Sequence, residues 1–172
     1  MNNIQIIEGD ITAANVDAIV NAANPMMLGG GGVDGAIHKA AGPELLAECQ
    51  KVNAVMKIRC PVGEARITLA GNLSSKYVIH TVGPRYHREA EPKALLATAY
   101  NSSLGLALEN GCESVAFPAI SCGSYGYPVR EAAKIAIQVC SDDKFNSIEI
   151  FFYLYGQKNY AIWQSALDKK NR

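Results

Sequence analysis

Asp34 follows directly on Gly29-Gly30-Gly31-Gly32-Val33, and a carboxylate placed just after four consecutive glycines is the pattern with most chemical potential in this chain of 172 residues. Glycines let the backbone take positive φ and bring N–H groups close to a ligand without a Cβ in the way, at an entropy cost that a bound anion can offset. The run from Asn21-Ala22-Ala23-Asn24-Pro25 to Asp34 joins a strand to a helix. It therefore reads either as a phosphate or diphosphate cradle at a helix N-terminus or as a flexible surface loop. It matches neither the dinucleotide-binding glycine fingerprint nor the P-loop, and the absent P-loop lysine argues against a kinase or ATPase. Asp34 itself fits a helix N-cap, which only accepts helix N–H bonds, or a general base.

A second glycine-rich turn, Ser121-Cys122-Gly123-Ser124-Tyr125-Gly126-Tyr127-Pro128, also runs from the end of an apolar strand to a helix start. Two such turns from different strands can grip one diphosphate from both sides, which favours a phosphate-containing ligand. The remaining candidates carry less. His38 lies one helical turn beyond Asp34 and either faces the same cleft or packs among alanines, the plainer role. His80 in a strand and His87 in a charged loop have no evident partner. Cys122 has no histidine near it in sequence to activate it as a nucleophile. Tyr153 and Tyr155, taken to alternate in direction at the end of the last strand, place one ring at a cleft rim for stacking or leave both to packing.

These residues must be positioned by a scaffold, and the apolar pattern outlines one. Strands are expected at Ile4 to Ile7, Asp17 to Asn21, Ala65 to Ala70, Tyr77 to Val82, Ser114 to Ile120 and Ser147 to Tyr155. Helices are expected at Asp34 to Ala41, from Pro43 with Leu45, Leu46, Cys49 and Val52 on one face, and at Lys93 to Asn110, Val129 to Asp142 and Gln157 to Lys169. Pro84 to Lys93 reads as an exposed charged loop. Alternating strands and helices imply an α/β protein, a three-layer α/β/α sandwich on a mixed, largely parallel six-stranded sheet. The connection between Ala70 and Tyr77 is too short for a crossover helix, so that pair is expected to be antiparallel. No repeat or linker interrupts residues 1–172, read as a single domain. In such sheets ligands bind beyond the carboxyl ends of the strands, where both glycine turns lie.

Sixteen Lys and Arg balance sixteen Asp and Glu. That excludes a uniformly basic face for nucleic acid and a disordered acidic tail. The five cysteines, Cys49, Cys60, Cys112, Cys122 and Cys140, form no CxxC pair and no histidine-flanked set, so neither a disulfide framework nor a zinc site is indicated. A reducing cytoplasm is the expected home. The opening Met1-Asn2-Asn3-Ile4-Gln5 shows no basic patch, and later apolar runs are strand-sized, so neither an export signal nor a membrane anchor is expected.

Five ordered segments carry a resemblance: Gly9-Asp10-Ile11-Thr12, Ile19-Val20-Asn21-Ala22-Ala23-Asn24, Gly29 to Asp34, Ile79-His80-Thr81-Val82-Gly83-Pro84, and Pro118-Ala119-Ile120 followed by the second turn. Together they closely resemble a macrodomain of the MacroD type, and the bacterial O-acetyl-ADP-ribose deacetylases in particular, over nearly the whole chain. The resemblance implies that Asp10 bonds the adenine amine, that the Ile11 N–H helps hold the base, and that Tyr155 packs near the adenosine. It implies that Asn24 bonds distal-ribose hydroxyls while Asn21 supports its loop. The backbones of Gly30, Gly31, Gly32 and Val33 and of Ser121, Cys122, Gly123, Ser124 and Tyr125 would hold the diphosphate. Asp34 would carry the chemistry and Tyr125 would shape the distal pocket. The implied reaction is hydrolysis of an ester on the distal ribose, either the acetyl ester or the link to a protein Glu or Asp, by water activated by Asp34, a substrate phosphate, or both. It implies no cofactor and no metal. ADP-ribose phosphorylated at its distal end is a related substrate.

The chain departs from the family at Cys122, where threonine is usual, at Ser124, where Ile or Val is usual, and at Val62, where Thr is common. The N–H donors survive these changes, while Ser124 packs the distal ribose more loosely. Two other function classes compete. One is a module that reads ADP-ribose on proteins without turnover. The other is an RNA-binding or regulatory role, disfavoured by a neutral chain without a backbone-tracking groove and testable by salt dependence.

Overall fold

The computed structural model describes residues 3–172; Met1 and Asn2, part of the N-terminal reading above, lie outside the described residues. Six strands form one sheet: β1 (Ile4–Glu8), β2 (Ala18–Ala22), β3 (Ala65–Leu69), β4 (Tyr77–Thr81), β5 (Ser114–Phe117) and β6 (Glu149–Leu154), in the order β1-β6-β5-β2-β4-β3. Every neighbouring pair is parallel except β3 with β4, whose seven-residue connection leaves no room for a crossover. The helices are α1 (Gly32–Ala41), α2 (Pro43–Gln50), α3 (Pro92–Glu109), α4 (Val129–Cys140) and α5 (Gln157–Lys170).

The two-residue period of the strands sends alternate side chains into two cores. Ala18, Val20, Ile79, Val115, Phe117 and Phe152 join α3, α4 and α5 on one face, around packed rings of Tyr100, Phe117, Phe152 and Trp163. Ile19, Val78 and Ala116 join α1 and α2 on the other, with Ile37, Leu45 and Cys49. The architecture is the expected three-layer α/β/α sandwich with a mixed, largely parallel six-stranded sheet.

Local chemistry accounts for where the boundaries moved. β5 stops at Phe117 rather than Ile120 because Pro118 has no N–H for the ladder. The residues up to Pro128 thereby become a long loop beyond the carboxyl end of β5. α1 begins two residues earlier than Asp34: Gly31 takes the extended cap conformation (φ −96°) and left-handed Gly32 (φ +57°) turns the chain into the helix. Asp34 is therefore a first-turn residue and not the N-cap. The segment from Arg85 to Lys93 is mostly exposed as expected, while Pro84 is buried and the Tyr86 N–H ties the loop to the second turn by donating to the Tyr125 carbonyl at 2.9 Å.

Candidate active site

β2 and β5 are neighbours at the middle of the sheet, and the chain leaves them in opposite directions, to α1 on one face and to α4 on the other. Such a switch point opens a crevice beyond the strand ends. Here it is a cleft of about 750 Å³ lined by both glycine turns, Asp34, Arg85, Tyr153, Tyr155 and Asn159 among others.

The first turn is built and not slack. Asn24 Oδ1 accepts from the N–H groups of Met26 (3.1 Å) and Met27 (3.2 Å), while its Nδ2 donates to the Gly29 carbonyl (3.0 Å), so one side chain closes the loop. The Arg59 and Cys60 N–H groups anchor the loop from outside by donating to the Pro25 carbonyl. Within it Gly30 cannot be replaced freely: a Cβ there would lie 2.9 Å from Asp34 Oδ2 and 3.3 Å from Asn24 Nδ2. The same distances show that these two polar atoms converge on one point of the cleft wall. No side chain caps α1, so its first-turn N–H groups, from Gly32 to Asp34, are left as donors at the cleft.

Asp34 is buried, and its two oxygens have different surroundings. Oδ1 accepts from Asn21 Nδ2 at 2.7 Å and lies 3.5 Å from His38 Nε2, an ion-pair separation without hydrogen-bond geometry. Oδ2 faces the space over Gly30. Asn21, expected to support the loop, is wholly buried and bonds the Asp34 carboxylate at the loop's far end. His38, for which packing among alanines was the plainer role, stands beside Asp34 because four residues on a helix share a face. His80, with no partner evident in the sequence, lies beneath them, 3.2 Å from Asn21 Nδ2.

In the second turn Ser121 is held in the left-handed region (φ +66°), with the Tyr127 N–H donating to its carbonyl at 2.9 Å. The Cys122 N–H is spent on the Ala119 carbonyl (3.3 Å), so it is not a free donor. The Gly123, Ser124 and Tyr125 N–H groups find no acceptor among the described residues and face the same cleft. Burial pushes the Cys122 thiol up to about 12, which leaves a protonated and unreactive sulfur. Ser124 is exposed on the second turn.

At the opposite end stand Ile11, Tyr153, Leu154 and Tyr155. Tyr153 and Tyr155 do not alternate: residues two apart on a strand share a face, and both line the cleft. Asp10 sits at the outer edge and not on the wall, its Oδ1 accepting from the N–H (2.9 Å) and hydroxyl (2.8 Å) of Thr12. The Thr12 hydroxyl, then its N–H, hold this carboxyl below the ordinary value, and the nearby Tyr155 hydroxyl acts weakly in the same direction. Arg85 and Asn159 were not anticipated. Arg85 supplies the one cation on the cleft wall among the described residues and lies 5.3 Å from the Tyr125 ring centroid. Its place in a charge-rich stretch gave no signal; the bond from Tyr86 to the second turn brings it there.

No helix among the described residues is long and apolar enough to cross a membrane. The macro domain model matches residues 20–136. A macro domain-containing protein of Vibrio parahaemolyticus is 59% identical over 167 residues, 97% of this chain and 98% of its own. An O-acetyl-ADP-ribose deacetylase of Citrobacter rodentium is 50% identical over 176 residues, 98% of this chain and 97% of its own. Among solved structures, the Oceanobacillus iheyensis macrodomain with ADP superposes with a TM-score of 0.92 at 42% identity, covering 98% of this chain and 91% of that one. The Trypanosoma brucei macrodomain in complex with ADP-ribose does so with a TM-score of 0.83 at 38% identity, covering 96% and 69%. With a six-stranded α/β/α sheet whose β2–β5 switch point carries both glycine turns, this chain belongs to the macrodomain family.

Proposed function

We propose that this macrodomain binds ADP-ribose and hydrolyses esters on its distal ribose, O-acetyl-ADP-ribose and the mono-ADP-ribose linkage to protein Glu or Asp side chains. The observation that carries the reading is the convergence of Asp34 Oδ2 and Asn24 Nδ2 over Gly30, next to two sets of unspent backbone N–H groups. Adenosine lies between Ile11, Tyr153 and Tyr155, with Asp10 and the Ile11 N–H at the base. The diphosphate takes the N–H groups of α1 and of Gly123 to Tyr125, and the distal ribose sits between Asn24, Asp34 and Tyr125. Backbone donors and a helix N-terminus stabilise a dianion without lysines, which is how a neutral chain holds this ligand.

In the chemical step, Asp34 Oδ2 takes a proton from a water as its oxygen adds to the ester carbonyl, with a substrate phosphate oxygen able to share in holding that water. The tetrahedral intermediate then expels the ribose oxygen, which receives the proton back from Asp34, and a carboxylic acid leaves. The bond broken lies between acyl carbon and ribose oxygen, so the same step serves an acetyl or a protein side-chain ester.

Incubation with O-acetyl-ADP-ribose, following free ADP-ribose, tests this. Wild type is expected to release it far faster than Asp34→Ala while both bind ADP-ribose. Equal, slow release by both would leave a reader module. The regulatory reading rests on one feature, a depression of about 360 Å³ between α4 and α5 lined by Arg130, Lys134, Lys169 and Lys170. RNA affinity falling steeply with salt would support it.

A further inference from the structure

His80 is a wholly buried imidazole near the carboxyl end of β4, and the reaction does not touch it. An apolar side chain would fill such a position at less desolvation cost, so a role beyond packing is called for. Its surroundings are polar on both ring nitrogens. Nδ1 lies 3.2 Å from Asn21 Nδ2, and Nε2 lies 3.0 Å from Thr68 Oγ1 and 3.7 Å from Cys49 Sγ. The strand register explains the row. Asn21 and His80 are direct partners in the β2–β4 ladder, and Thr68, paired with Val78, shares their face on β3. One line of side chains thus crosses three adjacent strands, from Thr68 through His80 and Asn21 to Asp34 on α1.

Donor and acceptor roles along the line are forced. The Asp34 carboxylate only accepts, so the Asn21 nitrogen must face it. The second hydrogen of that nitrogen then points at His80 Nδ1, which must accept, and the imidazole proton resides on Nε2 and is donated to Thr68. Burial keeps the ring uncharged across physiological pH by lowering its pKa to about 3, and the bond from Asn21 selects the tautomer. Asn21 Oδ1 is buried without a partner among the described residues, so the amide is oriented from its nitrogen side alone. With the amide turned over, its oxygen would meet the Asp34 carboxylate, which only accepts, and would find a donor in His80 only if the imidazole proton moved from Nε2, and so from Thr68, to Nδ1.

We infer that His80 is a positioning residue that holds the Asn21 amide with its nitrogen toward Asp34, fixing Asp34 Oδ1 and thereby aiming Oδ2 into the cleft. The inference rests on the reading of Asp34 as the proton acceptor. It assigns no ligand contact to His80.

The test measures kcat and KM for O-acetyl-ADP-ribose and Kd for ADP-ribose in His80→Phe, His80→Asn, Thr68→Val and Asp34→Ala. His80→Phe keeps the ring and removes the acceptor; kcat is expected to fall about tenfold or more, with KM and Kd within about twofold. His80→Asn places an amide oxygen near the Nδ1 position and should recover most of the loss. Thr68→Val, which removes only the far acceptor, should lower kcat by about threefold. In the Asp34→Ala background His80→Phe should change nothing further. An unchanged kcat in His80→Phe beside an inactive Asp34→Ala overturns the inference and leaves the active-site reading standing, whereas a fully active Asp34→Ala overturns that reading. Parallel loss of kcat and binding without recovery in His80→Asn would make His80 structural only. If His80→Phe does not fold, Thr68→Val decides, and an unchanged kcat in it overturns the inference.

Discussion

Replacing Asp34 by asparagine separates the chemistry of the carboxylate from its place in the buried network. The oxygen of the introduced amide can occupy the Oδ1 position and accept from Asn21 Nδ2, 2.7 Å from Oδ1 in the wild type, while the amide nitrogen takes the Oδ2 position facing Gly30. The retained bond loses its charge, a difference of about 1 kcal/mol between charged and neutral hydrogen bonds. Relief of a buried charge acts in the opposite direction. Net stability should therefore change by no more than about 1 kcal/mol, a shift of roughly 2–4 °C for a domain of this size. The proton acceptor, in contrast, is gone from the cleft. General base catalysis contributes about 10²–10⁴ in rate, equivalent to about 2.7–5.4 kcal/mol of barrier. Asp34→Asn should accordingly bind ADP-ribose within about threefold of wild type and melt within a few degrees of it, yet hydrolyse O-acetyl-ADP-ribose at least about a hundredfold more slowly. Thermal melts, titration calorimetry with ADP-ribose and a product-release assay check the three parts. A variant that keeps a third or more of the wild-type rate would refute the assignment of Asp34 Oδ2 as base, and one that loses rate only in proportion to binding would show Asp34 to be a ligand-binding group.

Gly30→Ala puts a methyl group 2.9 Å from Asp34 Oδ2, so the rate should fall by about tenfold or more with little change in melting temperature; a wild-type rate would mean that this space is not where the water or ester sits. At pH 8 the Cys122 thiol, pushed up to about 12, is ionised in about one molecule in ten thousand. Iodoacetamide should therefore leave it largely unmodified in the folded protein, and rapid labelling at Cys122 read by mass spectrometry would contradict the raised thiol pKa. Burial lowers the His80 pKa from 6.5 to about 3, so between these values the unfolded chain binds a proton that the folded chain does not. Stability is then full above pH 6.5 and is lost as pH falls toward 3, at up to about 1.4 kcal/mol per pH unit for this one group. Denaturation curves from pH 7 to 4 should fall more steeply for wild type than for His80→Asn, and parallel curves would refute the neutral buried ring.

What the chain determined by itself was the scaffold and the two glycine turns on which the proposed ligand rests. Apolar runs of strand length alternating with helical faces, and one connection too short for a crossover, were enough for six strands, the single antiparallel pair and three layers. Periodicity and turn chemistry are local properties, so they are written in neighbouring residues. The glycine turns were legible for the same reason. Tertiary structure decided which groups meet. The packing of α1 over β2 brought Asn21 to Asp34, and the β2–β4–β3 register set His80 between Asn21 and Thr68; register is a long-range property with no local signature. The bond from Tyr86 to Tyr125 swung Arg85 onto the cleft wall from a stretch that read as plain loop. Folding also assigned each donor its partner, spending the Cys122 N–H on Ala119 and the Asn24 oxygen on its own loop while leaving Asp34 Oδ2 open. Residue types announced that a carboxylate and many N–H groups were present; only three-dimensional closeness fixed which of their atoms were still free to act.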